Sequence, residues 1–124
     1  MRICESSEDY LEAILMLRLK NGQVRSIDIA NELNYSKPSV SIAMKKLREN
    51  GYVEMDENSL ITLTPAGEEI ARNIYDRHCL LATLLCKIGV SEKTAQADAC
   101  RIEHDLSVES WEKIKEFCRV HQDL

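Results

Sequence analysis

A chain of 124 residues, 44% hydrophobic and 30% charged, suffices for one globular domain or two very small ones sharing a core. An aromatic share of 5% beside many Leu, Ile and Ala favours helices. The absence of any apolar run near the roughly 20 residues that span a bilayer, and of a signal-peptide core in Met1-Arg2-Ile3-Cys4-Glu5, leads us to expect a cytoplasmic protein with no membrane partner. The net charge of -5 excludes indiscriminate coating of nucleic acid, yet from Ser36 to Arg48 there are four bases (Lys37, Lys45, Lys46, Arg48) and no acid.

Ser6 or Ser7 is positioned to cap a first helix, with Glu8 and Asp9 in its opening turn where the helix dipole favours acids. Leu11, Ile14, Leu15 and Leu17, with Tyr10, continue it as an apolar stripe until Asn21-Gly22. Ser26 caps a short helix over Ile27 to Leu33, with Ile27, Ala30 and Leu33 as its buried side. Asn34-Tyr35 turns the chain into a third helix that opens at Ser36 with Pro38 in its first turn and runs through Val40, Ala43, Met44 and Leu47 to Asn50-Gly51. Tyr52 to Met55 and Leu60 to Leu63 alternate as strands around the turn Asp56-Glu57-Asn58-Ser59. Two short helices across a tight turn, followed by a hairpin, read as a winged helix-turn-helix.

Thr64-Pro65 starts a long helix in the order cap then proline, with Ile70, Ile74, His78, Leu81, Leu84, Leu85 and Ile88 as its inner face before Gly89. Ser91 opens a further helix and Ser107 a last one, apolar at Trp111, Ile114 and Phe117-Cys118. The fold class expected is mainly α: a winged helix-turn-helix DNA-binding domain over residues 1–64, then an all-helical metal-binding and dimerisation domain over 65–124. The second half has too few residues to cover its apolar faces alone. We therefore expect a homodimer sharing Leu80, Leu84, Trp111, Ile114 and Phe117, which presents two recognition helices to a palindromic double-stranded operator.

With the third helix in the major groove, Ser36, Lys37, Pro38, Ser39 and Ser41 face base edges, while Lys45, Lys46 and Arg48 lie near phosphates; Arg25, just before the second helix, is a further DNA-binding candidate. The competing reading is that Lys45-Lys46 are simply solvated on an amphipathic helix. The order helix, turn, helix, wing over nearly forty residues favours DNA.

Cys100, Glu103 and His104 stand at i, i+3 and i+4, so on a helix a thiol, a carboxylate and an imidazole point the same way. Asp9 with Glu12 on the first helix, and His78 on the long one, can complete a metal site. Taken singly, Asp9 also fits a capping box with Ser6, Glu12 a solvated acid, and His78 a core histidine bonded to a carboxylate. Carboxylates with imidazoles suit Mn(II) and Fe(II), and one thiolate shifts preference toward Fe(II), Co(II) or Zn(II). The five cysteines (Cys4, Cys79, Cys86, Cys100, Cys118) are odd in number with no Cys-x-x-Cys pair, so we expect reduced thiols, with Cys79, Cys86 and Cys118 as small apolar residues.

Ser-x-Glu-Asp-Tyr-Leu-Glu-Ala-Ile at Ser6 to Ile14, Tyr-Asp-Arg-His at Tyr75 to His78, Ile-Gly-Val at Ile88 to Val90 and Ala-Cys-x-Ile-Glu-His-x-Leu-Ser at Ala99 to Ser107 resemble the metal-dependent repressors of the diphtheria toxin repressor and manganese transport regulator family. The resemblance spans essentially the whole chain. It implies a winged-helix dimer that binds operator DNA when loaded with Mn(II) or Fe(II), Co(II), Zn(II) or Cd(II) being possible substitutes, and that represses metal-uptake genes. Carried over residue by residue, the ligands are Asp9, Glu12, His78, Cys100, Glu103 and His104, with Asp9, Cys100, Glu103 and His104 as principal site and Glu12 and His78 beside Glu103 as a second position. Cys100 stands where the manganese branch usually has a bridging glutamate, as in the iron branch, whereas Asp9 stands where the iron branch has methionine. Ala82 and Gln96 fall where the iron branch places ancillary ligands, and the SH3-like domain of the iron regulators is expected to be absent.

Two other classes compete. A winged-helix redox sensor would use Cys100, its thiol made acidic by Arg101, although nearby carboxylates oppose this. An enzyme would need more than a Cys100-His104 pair, and with no oxyanion loop, Gly-rich motif or substrate-sized domain we expect neither catalysis nor a small organic substrate.

Overall fold

The computed structural model describes residues 5–121, with side chains from Ser7 onward, so Cys4 lies outside them. In chain order they form α1 (Glu5–Asn21), α2 (Ser26–Leu33), α3 (Lys37–Glu49), β1 (Val53–Met55), β2 (Ile61–Leu63), α4 (Pro65–Lys87), α5 (Glu92–Asp105) and α6 (Val108–Val120). Two compact units divide within α4, Met1–Asn73 and Ile74–Leu124. No helix among the described residues is long and apolar enough to cross a membrane.

The first unit packs α1, α2 and α3 around Leu11, Ile14, Leu15, Ile29, Val40, Met44 and Leu47, all fully buried. α1 is already helical at Glu5, so its start lies before Ser7, and the capping box of Asp9 with Ser6 rests on a side chain outside those described. In α2 the cap is Arg25, not Ser26: the Asp28 carboxylate accepts the Arg25 backbone N–H at 2.8 Å. Its buried side is Ile29 and Ala30, with Leu33 half-buried, while Ile27 is 41% exposed. Ile27 and Ile29 are equally apolar and both spacings are helical, so only the packing partners of α2 select one.

Asn34 turns the chain in the left-handed region, and Ser36 caps α3 by accepting the Ser39 N–H at 3.3 Å, with Pro38 in the first turn as expected. Val40, Met44 and Leu47 form its buried face. The hairpin is antiparallel, with Val53 opposite Leu63 and Met55 opposite Ile61. At its tip the Asp56 side chain accepts the N–H groups of Asn58 and Leu60.

Main-chain contacts hold this wing. The Ile61 N–H reaches the Val24 carbonyl at 2.8 Å, the Thr64 N–H reaches the Tyr52 carbonyl at 3.1 Å, and the Thr64 hydroxyl donates to the Gly51 carbonyl at 2.6 Å while accepting the Gly67 N–H. α4 passes so close that a Cβ on Gly67 would stand 2.0 Å from the Tyr52 carbonyl oxygen. Arg18, at the end of α1, donates twice to the Glu68 carboxylate at 2.7 Å, tying α1 to the start of α4.

In the second unit Leu81, Ala82 and Ala99 form a small core closed by Leu106, and Ala95 and Ala99 give α5 the low profile that such packing needs. Ser107 caps α6 by accepting the Ser110 N–H at 3.1 Å. The long apolar face expected on α4 is buried at Ile74 and Leu81 and half-buried at Leu84 and Leu85. Ile88, by contrast, is 69% exposed. The helix ends at Lys87, so Ile88 lies in the closing turn, where the helical period no longer applies.

Gly67→Ala should destabilise the first unit by about 2–3 kcal/mol, because backbone rather than a flexible side chain must yield; an unchanged melting temperature would contradict this close approach. The hydrogen bond from Arg18, aided by the charges of Arg18 and Arg72, holds the Glu68 carboxyl below its ordinary value of 4.5. The stabilisation is complete above that value and is lost as pH falls through the lower folded value. Glu68→Gln should therefore flatten the acid limb of stability against pH, as measured by urea unfolding from pH 3 to 7.

Candidate metal centre and nucleic-acid interface

Glu103 is the fully buried carboxylate at the heart of the second unit, 0% exposed near the end of α5. A buried carboxylate is costly unless hydrogen-bonded or placed beside positive charge. His78, from α4, brings Nδ1 to 3.0 Å from Glu103 Oε2, and His104 brings Nε2 to 3.4 Å from Glu103 Oε1. Each carboxylate oxygen thus faces an imidazole nitrogen. The other nitrogen of His78, Nε2, lies 2.5 Å from the Gln96 amide oxygen, and this contact fixes the ring with Nδ1 toward Glu103.

This unit therefore brings three of the sequence-derived candidates together, His78, Glu103 and His104. Cys100, one turn earlier on α5, is exposed. In the first unit Asp9 is half-buried and Glu12 buried, three residues apart on α1 and so on one face. Two imidazoles around a carboxylate make a nitrogen and oxygen donor set suited to a first-row divalent cation. Arg101, the cation invoked to activate Cys100, donates instead to Asp98 at 3.1 Å, which removes the support for a redox-active thiol.

The sequence reading missed Arg77. Its guanidinium is 8% exposed and donates to the main-chain carbonyls of Glu103 at 3.3 Å and Leu106 at 3.4 Å, and it lies 5.5 Å from the Trp111 ring centroid. The carbonyls at the end of a helix lack partners within it and carry its negative pole, so a buried cation there closes α5 and holds the residue that carries the central carboxylate. Its place in the motif, directly before His78, marked it only as part of a family signature. Trp111 is buried in its own unit, with Lys115 also 5.6 Å from its ring. Leu80, Leu84 and Ile114 are half-buried and Phe117 is 52% exposed.

In the first unit Ser36, Lys37, Pro38, Ser39, Ser41, Lys45, Lys46 and Arg48 are all exposed on α3 and at its cap, and Arg25 is exposed at the cap of α2. Arg48 also reaches the Met55 sulfur of the wing at 3.6 Å. A basic recognition helix beside a wing defines a winged-helix DNA-binding protein.

A family model described as the iron dependent repressor N-terminal DNA binding domain matches residues 2–59, and one described as the iron dependent repressor metal binding and dimerisation domain matches residues 64–122. The chain belongs to the iron-dependent repressor family, whose members are metal-dependent, DNA-binding transcriptional regulators and not enzymes. It is 38% identical over 121 residues to an uncharacterised HTH-type transcriptional regulator of Methanocaldococcus jannaschii, covering 96% of this chain and 97% of that one. It is 36% identical over 118 residues to the HTH-type transcriptional regulator MntR of Lysinibacillus sphaericus, covering 95% of this chain and 85% of the relative. Among solved structures the manganese regulator SloR superposes with a TM-score of 0.77 at 27% identity, covering 96% of this chain but only 55% of SloR. The chain thus spans about half the length of that structural relative.

Arg77→Met should lower thermal stability by roughly 1–3 kcal/mol, since one buried and one part-buried carbonyl lose their donor, and Arg77→Lys by less. A methionine variant that melts with the wild type would show that the clamp does not hold α5.

Proposed function

We propose that this regulator binds a palindromic operator as a homodimer when loaded with Mn(II) or Fe(II), and that it represses metal-uptake genes. The observation that carries this reading is the buried Glu103 carboxylate with a histidine nitrogen at each oxygen, an arrangement that an added cation would complete. His78, Glu103 and His104 supply donors, joined in this proposal by Asp9 and Glu12 from α1 and by Cys100. A bound divalent cation supplies positive charge that lets these acids stay ionised. Co(II), Zn(II) and Cd(II) would compete in vitro, because intrinsic affinities rank most of them above Mn(II) and selectivity must come from geometry and availability.

Residues 1–64 act as the DNA-binding part in this scheme, and residues 65–124 bind metal and dimerise through Leu80, Leu84, Ile114 and Phe117; Trp111, expected at the same surface, is instead buried within its own unit and packs under Arg77. Exposed Phe117 and Val120, one turn apart on α6, support an apolar dimer surface. For metal to switch DNA binding, it must bind the DNA-competent arrangement more tightly, and a coupling of roughly 1–3 kcal/mol is typical.

The test is DNA binding by chelator-stripped protein to its own upstream region, titrated anaerobically with Mn(II), Fe(II), Co(II) and Zn(II). Binding should switch on about 5- to 150-fold with one or two of these ions. Glu103→Ala and His104→Ala should abolish the response while leaving a folded dimer. Equally tight binding without metal, or an unchanged response in both variants, would defeat the proposal.

A further inference from the structure

α3 presents its buried face through Val40, Met44 and Leu47, each at most 2% exposed. At about 100° per residue the opposite stripe runs through Pro38, Ile42, Lys45 and Glu49, spaced i-4, i, i+3 and i+7 about Ile42. Ile42 is 69% exposed, the centre of the outward face, although nothing in the fold of its unit requires an apolar side chain there. The surrounding groups are those of a DNA reader: hydroxyls at Ser36, Ser39 and Ser41 toward the amino end, and cations at Lys45, Lys46 and Arg48 toward the carboxyl end.

A winged-helix recognition element puts the amino-terminal part of this outward face against base edges. Serine hydroxyls at that end bond to any base and discriminate little, and the lysines beyond serve phosphates. The apolar group on the floor of the major groove is the 5-methyl of thymine. We propose that Ile42 is a sequence-specificity determinant of this regulator, reading a thymine methyl in each operator half-site by apolar contact, with Pro38 extending the same surface. The charge around it selects this occupant: an apolar side chain ringed by cations and hydroxyls, with no acid before Glu49, complements a polyanion that carries a methyl group. The inference rests on operator binding by the winged helix.

The experiment uses the metal-loaded full-length protein and its own upstream region. Footprinting locates the half-sites, and each thymine within them is then replaced by deoxyuridine, which removes only the methyl. Wild-type affinity should fall about three- to tenfold at one or two positions per half-site, the size expected for losing one buried methyl contact or a little more. The Ile42→Ala variant should be indifferent at those positions, with wild-type melting temperature and wild-type salt dependence on non-specific DNA. In a randomised operator, Ile42→Gln should shift the preference at the same position from thymine toward adenine, whose N6 and N7 suit an amide. Sequence-specific binding with no deoxyuridine position that affects wild type more than Ile42→Ala would overturn the proposal while leaving operator recognition intact. Failure to bind the unmodified upstream region under any metal would overturn both.

Discussion

Water excluded from a carboxylate must be replaced by something that carries or shares positive charge, and the second unit is built on that requirement at Glu103. α4 answers it at one oxygen with His78, while the other, Oε1, lies 3.4 Å from the His104 ring without a hydrogen bond and so stays open to a further partner. The Arg77 guanidinium, from the residue next to His78, does not pair with the carboxylate; it closes the helix end through the main chain of the same residue. Glu103 is thus addressed twice, at its side chain by the His78 imidazole and at its carbonyl by a cation. The small residues Ala95 and Ala99 let α5 lie low enough for both, so apolar packing and polar placement depend on one another.

The first unit solves a different problem, presenting a short basic helix in one fixed attitude. Ser36 sets where α3 begins, Val40, Met44 and Leu47 set which face turns inward, and the remaining face follows by elimination. The bidentate Arg18–Glu68 pair then links the far end of α1 to the helix that follows the wing. Geometry of this kind, with two parallel charge-assisted bonds, fixes orientation better than a single contact between long side chains.

Element order was legible because each boundary carries local chemistry: Ser36 with Pro38, Asn50-Gly51, Thr64-Pro65, Ser91 and Ser107 announce starts and stops regardless of the tertiary surroundings. Facing was less legible. Ile27 and Ile29 are alternatives that only the neighbours of α2 decide, and Ile88 looked like one more step of a stripe whose helix had already ended. His78, Glu103 and His104 were readable as donors from residue type and spacing, but Glu103 being the fully buried member was not, since helical spacing places side chains without saying what covers them. Arg77 and Gln96 were invisible as partners because their contacts reach 26 and 18 residues along the chain. Gly67 carried no turn signal at all; its reason is a neighbouring carbonyl.

The wing rests on backbone: carbonyls of Val24, Gly51 and Tyr52 receive its bonds, and Gly67 lets a helix lie directly against it. None of those attachments involves the side chains of Glu57 or Asn58 at the tip. Anchorage and tip composition are therefore written in separate residues. Over evolutionary time the tip can vary while the strands stay seated, so divergence among relatives should gather at the tip and spare the glycine beneath it.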